Sequence, residues 1–166
     1  MKAPGETKIK GGEKVEDKEI KKERDYAIAV FYDDDLNIYV QERGGYTKMG
    51  EQYTFWGGMI EDGETPKDAI FRELEEELGL EPKNLEYWGD YSFVIQEEGK
   101  YKGYKLNVSV FITQVDSNFD KTEVKEGTSV VVFPIQKVIN GEGFLKGMAS
   151  FMPELQGHLR SDLGKK

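Results

Sequence analysis

From Tyr26 to Tyr32 the chain is almost continuously apolar and partly β-branched, Asp33-Asp34-Asp35 interrupts it, and Asn37 to Gln41 resumes it. Apolar runs flanking a cluster of turn residues predict two strands joined as a hairpin. The same pattern predicts strands over 87–96, 104–115 and 129–133, with charged, turn-rich loops at 97–103 and 116–127 between them. Three successive aspartates between strands read as a solvated turn, in preference to a metal site.

Two stretches follow the helical period instead. Thr65-Pro66-Lys67-Asp68 combines a hydroxyl cap, proline at the first helical position and an acid beside the positive end of the helix dipole. The helix runs from there to Leu78 and stops at Gly79, a residue suited to a left-handed cap. At about 100° per residue, Ala69, Ile70, Leu74 and Leu78 form one apolar stripe that faces the core. A second helix is predicted around 152–163. Strands surround one early helix, so the natural architecture is an α/β sandwich with a mixed sheet.

Residues 1–24 are dominated by Lys, Glu and Gly, with only Ile9, Val15 and Ile20 as isolated apolar positions. That is too little apolar surface to offset the entropy of ordering, so 1–24 reads as a mobile polar tail and 25–166 as a single domain. A length of 166 residues suits one domain and one active site.

Composition narrows the function. No apolar run is long enough to cross a bilayer, and the start of the chain lacks the apolar stretch of a secretory signal. Without cysteine there is neither a disulfide framework nor a thiol nucleophile, and the cytoplasm is the expected location. A net charge of −9 repels nucleic acid polymers and anionic lipid, so a phosphate-bearing substrate must be drawn in locally by cations. A homodimer is compatible with this composition.

Glu73, Glu76 and Glu77 stand at i, i+3 and i+4 and share a helical face. Like charges so spaced cost a few tenths of a kcal/mol per pair on an exposed helix, a rough figure that nothing in local helix physics repays. Divalent cations would, because hard ions such as Mg²⁺ prefer carboxylate oxygens and keep waters that become nucleophiles.

The stretch around those acids, GMIEDGETPKDAIFRELEEELGL from Gly58 to Leu80, resembles the Nudix box, G-x5-E-x7-R-E-U-x-E-E-x-G-U with U aliphatic. Gly58, Glu64, Arg72, Glu73, Leu74, Glu76, Glu77, Gly79 and Leu80 fill every specified position. The resemblance implies an α/β/α sandwich in which the box forms loop, helix and loop. It implies Mg²⁺, with Mn²⁺ as the substitute, held by Glu73, Glu76, Glu77 and the backbone carbonyl of Gly57. It makes Arg72 a residue that orients a glutamate and Glu64 its partner. Lys125-Glu126-Gly127 resembles the K-E-G loop of MutT-like members, where the glutamate is an added ligand or the base. Glu126 and Glu73 therefore compete as proton acceptor, with Glu123 in reserve. Arg43 stands where MutT-like members carry a substrate-touching arginine. Trp56 replaces a proline common in the family, and is read as core in preference to a base-stacking platform; His158, the single histidine, is read as structural or exposed.

The implied activity is hydrolysis of a phosphoanhydride bond in a small nucleoside diphosphate derivative. A MutT-like nucleoside triphosphate pyrophosphatase, acting on oxidised nucleotides among others, leads. A nucleotide-sugar or ADP-ribose pyrophosphatase follows, and a non-catalytic ligand-sensing or protein-binding module is the alternative from another class.

Overall fold

The computed structural model describes residues 20–44, 47, 49–115, 119 and 129–164. Seven strands form one mixed sheet in the order β3-β2-β1-β6-β5, with β4 also paired to β1 and β7 to β2. They are β1 (Lys22–Tyr32), β2 (Asn37–Glu42), β3 (Tyr53–Thr54), β4 (Trp56–Met59), β5 (Glu86–Val94), β6 (Tyr104–Gln114) and β7 (Ser129–Pro134). The helices are α1 (Pro66–Leu78), α2 (Ile135–Ile139) and α3 (Met152–Gly164).

β1 explains why its sequence is continuously apolar: it is covered on both faces. Ala27, Ala29 and Phe31 join Trp56, Ala69, Ile70, Leu74 and Leu78 on the α1 side. Ile28, Val30 and Tyr32 join Tyr91, Phe93, Met152, Leu155 and Leu159 on the α3 side. The expected α/β/α sandwich is therefore the observed one, with two cores separated by the sheet.

β1 also organises the site. Along one edge it runs parallel to β6 from Lys22↔Tyr104 to Tyr32↔Gln114. Its other edge is divided: Tyr26 to Ala29 pair with β4, and Phe31 and Tyr32 pair with β2. On this edge the partner strand thus changes between Ala29 and Phe31.

Three features depart from the expectations. Lys22, Glu23 and Arg24 belong to β1 and not to the tail, because pairing with β6 satisfies backbone groups whatever the side chains. Lys21 extends this contact, its N–H donating to Gly103 O at 2.8 Å. The rest of the tail, residues 1–19, lies outside the described residues. β3 and β4 were not anticipated, the first being only two residues long and the second half glycine, and α2 is a single turn too brief to show a period.

Other expectations hold. The Asp33 carboxylate accepts from the backbone N–H of Asp35 at 3.0 Å and of Asn37 at 2.9 Å, so this aspartate serves the turn. Trp56 is fully buried, and its indole N–H donates to Tyr39 O at 3.1 Å, which makes it core. His158 Nε2 lies 3.3 Å from Asp162 Oδ2 on α3.

Candidate active site

The register of α1 is set at both ends. Thr65 Oγ1 accepts from Asp68 N–H at 3.1 Å, and the Asp68 carboxylate accepts from Thr65 N–H at 3.2 Å. Gly79 adopts the left-handed conformation at φ 64° and donates to Glu75 O at 2.9 Å. With the ends fixed, Ala69, Ile70, Leu74 and Leu78 face the sheet, and the acids are carried to the edge where β4 lies.

There the paired glycines take on distinct tasks. A Cβ on Gly57, whose φ is +136°, would lie 2.1 Å from Ala27 O, so this residue must be glycine for β4 to reach β1. A Cβ on Gly58 would lie 2.4 Å from Glu73 Oε1, so this glycine makes room for a carboxylate. The backbone of β4 consequently presents no side chain at these two positions.

The three acids line one cleft, as the helical spacing suggests, but at different depths. Glu77 turns inward: it is only 4% exposed, and its Oε1 accepts from Gly57 N–H at 2.8 Å. Glu73 is held against Gly58, and Glu76 stands half-exposed at the rim. Among the described residues, no three carboxylate or imidazole side chains converge as a closed metal cage.

Arg72 ties these groups together. Its Nε and Nη2 donate to the two oxygens of Glu64 at 2.7 and 2.9 Å, a forked pair. Nη2 also donates to Met59 O at 3.1 Å, and Nη1 donates to Glu73 Oε1 at 2.9 Å and reaches Glu76 Oε2 at 3.4 Å. The hydrogen bonds from Arg72 hold the Glu64 carboxyl down at about 2, while Glu64 in turn pushes the guanidinium above its ordinary value. Glu64 and Arg72, expected as partners, are thus bonded to each other, and Arg72 also bonds Glu73.

These groups form one wall of a cleft of about 480 Å³. Its continuation past the glycines is lined by Arg24, Tyr26, Arg43, Tyr101, Leu145 and Met148. Arg43 lines the cleft, and its Nη1 donates to Gln41 Oε1 at 3.1 Å. Burial pushes the Tyr26 hydroxyl above its ordinary pKa, which keeps it neutral. Glu126 and Glu123 lie outside the described residues.

Sequence reasoning missed Arg24 and Tyr26, although their two-residue spacing from Ile28 places all three on one face of a strand. It had no signal for Tyr101, Leu145 or Met148, which come from loops brought in by the fold.

A mixed sheet between helical layers, with an acidic loop-helix-loop wall on a cleft, defines the class of protein. The chain matches the NUDIX domain model over residues 22–155, and it belongs to that family. An "8-oxo-dGTP diphosphatase" of Proteus vulgaris is 39% identical over 61 residues, covering 37% of this chain and 54% of that protein. An "RNA pyrophosphohydrolase" of Marinomonas sp. is 41% identical over 56 residues, 31% of this chain and 35% of that protein. The chain thus matches about half, or less, of these curated relatives. The crystal structure of a MutT protein from Methanosarcina mazei Go1 superposes with a TM-score of 0.66 at 17% identity, covering 83% of this chain and 96% of that one. This last likeness bears on the fold.

Proposed function

We propose that this chain hydrolyses a phosphoanhydride bond of a nucleoside diphosphate derivative with Mg²⁺, a nucleoside triphosphate, oxidised ones included, being the leading substrate. The observation that carries this reading is the meeting of Glu73, Glu76 and Glu77 with the bare Gly57-Gly58 backbone in the wall of one cleft. The partial relatives named as an 8-oxo-dGTP diphosphatase and an RNA pyrophosphohydrolase support the same bond type.

The donor set suits a hard cation: Glu73, Glu76, Glu77 and the Gly57 carbonyl offer oxygen and nothing softer. When bound, Mg²⁺ or Mn²⁺ offsets charge on the phosphoryl oxygens and lowers the pKa of the attacking water. Arg72 holds the Glu73 carboxylate in one orientation through the 2.9 Å bond, and Glu64 holds Arg72. Arg43, which lines the same cleft, contacts the substrate. Glu73 and Glu126 are the two candidates to accept the proton from water, and comparing Glu73→Gln with Glu126→Gln at saturating Mg²⁺ decides between them.

The test is Mg²⁺-dependent product formation, resolved by chromatography, from a panel of dGTP, 8-oxo-dGTP, ADP-ribose and a 5′-triphosphate oligoribonucleotide: phosphate or pyrophosphate from the triphosphates, AMP and ribose 5-phosphate from ADP-ribose. Turnover of the triphosphates is expected, abolished by a chelator, and Glu76→Gln should lower it by at least ~10²-fold without changing the circular dichroism. Turnover confined to ADP-ribose would move the substrate class. No product with any divalent ion, or a near-normal rate in Glu76→Gln, would overturn the reading.

A further inference from the structure

The cleft contains an arginine that, among the described residues, makes no ion pair with a carboxylate. Arg72 is engaged by Glu64, Glu73 and Glu76, and Arg43 donates to Gln41. Arg24 is held differently: its Nη1 lies 3.5 Å from Met59 Sδ, and its guanidinium carbon lies 5.8 Å from the centre of the Tyr104 ring. Among the described residues no carboxylate forms an ion pair with it, in a chain with 32 acidic residues.

Strand geometry explains how that comes about. Successive side chains of β1 point to opposite faces, so Arg24 shares the cleft side with Tyr26 and Ile28, while its acidic neighbours Glu23 and Asp25 point away. Glu23 is engaged by Lys105 at 3.6 Å, and Asp25 Oδ1 accepts from Asn107 Nδ2 at 3.0 Å. Met59, which fixes one side of Arg24, also gives its carbonyl to Arg72 at 3.1 Å. Met59 thus stands between Arg24, at its sulfur, and Arg72 of the carboxylate wall, at its carbonyl.

We propose that Arg24 is a substrate-binding residue that takes a phosphoryl group of the polyphosphate lying over Gly58, with Tyr104 and Met59 as its positioning contacts. The reasoning is electrostatic: a phosphate chain entering a wall of glutamates needs a fixed positive charge that is not already neutralised, and the fork of an arginine matches a phosphoryl group. This rests on the polyphosphate reading of the site, so its test must also work without turnover.

The probe is inorganic tripolyphosphate with Mg²⁺ in excess, its binding measured by calorimetry to the wild type, Arg24→Gln and Arg24→Lys. Arg24→Gln should weaken binding about 10-fold or more, the scale of a lost charge-assisted hydrogen bond, and Arg24→Lys should recover part of it. Affinity should also fall less steeply with ionic strength in Arg24→Gln than in the wild type, a change that merely loosened packing would not produce. With dGTP as substrate, the KM of Arg24→Gln should rise by a similar factor while kcat moves less. Binding within twofold of wild type, or equal salt dependence in the two proteins, overturns the proposal. Arg24-dependent tripolyphosphate binding with no hydrolysis of any nucleotide would leave Arg24 in place and remove the hydrolase reading instead.

Discussion

Gly58 is where a single missing atom matters most. Its Cβ would fall 2.4 Å from a side-chain oxygen, Glu73 Oε1, whereas that of Gly57 would fall 2.1 Å from a backbone oxygen, Ala27 O. A side chain can swing aside and a paired strand cannot. Gly58→Ala is therefore expected to fold with a melting temperature within a few degrees of wild type while kcat/KM drops roughly 10- to 100-fold, since a displaced carboxylate spoils a preorganised site. Gly57→Ala should lose several kcal/mol, roughly, as a backbone clash adds to the strain of a non-glycine residue at positive φ. Measuring both properties on both variants checks the distinction: a Gly58→Ala whose melting temperature falls sharply while kcat/KM stays normal would refute it. These two neighbours are identical letters in the sequence, and only the partner met by each missing Cβ tells them apart.

At the scale of elements, α1 and the loop before it act as one piece through the Glu64–Arg72 fork. Glu64 is ionised in the folded state down to about pH 2, lowered from 4.5 mainly by its hydrogen bonds with Arg72. The sign follows from the depressed value: the favourable contribution is complete above about pH 4.5 and is lost as pH falls toward 2. Comparing melting temperatures of wild type and Glu64→Gln from pH 7 to pH 2 should give a constant gap above pH 4.5 that closes on further acidification. A gap that does not change with pH would show that the fork carries no charge-linked stability. The fork was legible in the box spacing. The burial of Glu77 was not: helical periodicity set it beside Glu73 and Glu76, where it does stand, but only the approach of β4, with the Gly57 N–H to donate, allows that carboxylate to be buried.

For the whole molecule, the sheet keeps the box helix on one side and α3 on the other, and the site draws on the edge between them. Leu159 of α3 is fully buried and does not line the cleft. Leu159→Ala should cost about 2–5 kcal/mol in urea denaturation while the kcat of the folded fraction stays near wild type. A matching fall in kcat would mean that packing on α3 is transmitted to the carboxylate wall. What the sequence determined by itself was whatever depends on near neighbours in the chain: the capped helix 66–78, the strand runs, the aspartate turn, and a box whose spacing defines its own acids and arginine. Tertiary structure alone decided the rest. It extended β1 back to Lys22 by pairing it with β6, divided the other edge of β1 between β4 and β2, and brought Tyr101, Leu145 and Met148 from remote loops to the cleft. The reason is that backbone hydrogen bonds are indifferent to side-chain polarity, so a polar stretch such as Lys22 to Arg24 becomes a strand once a neighbouring strand offers the partners.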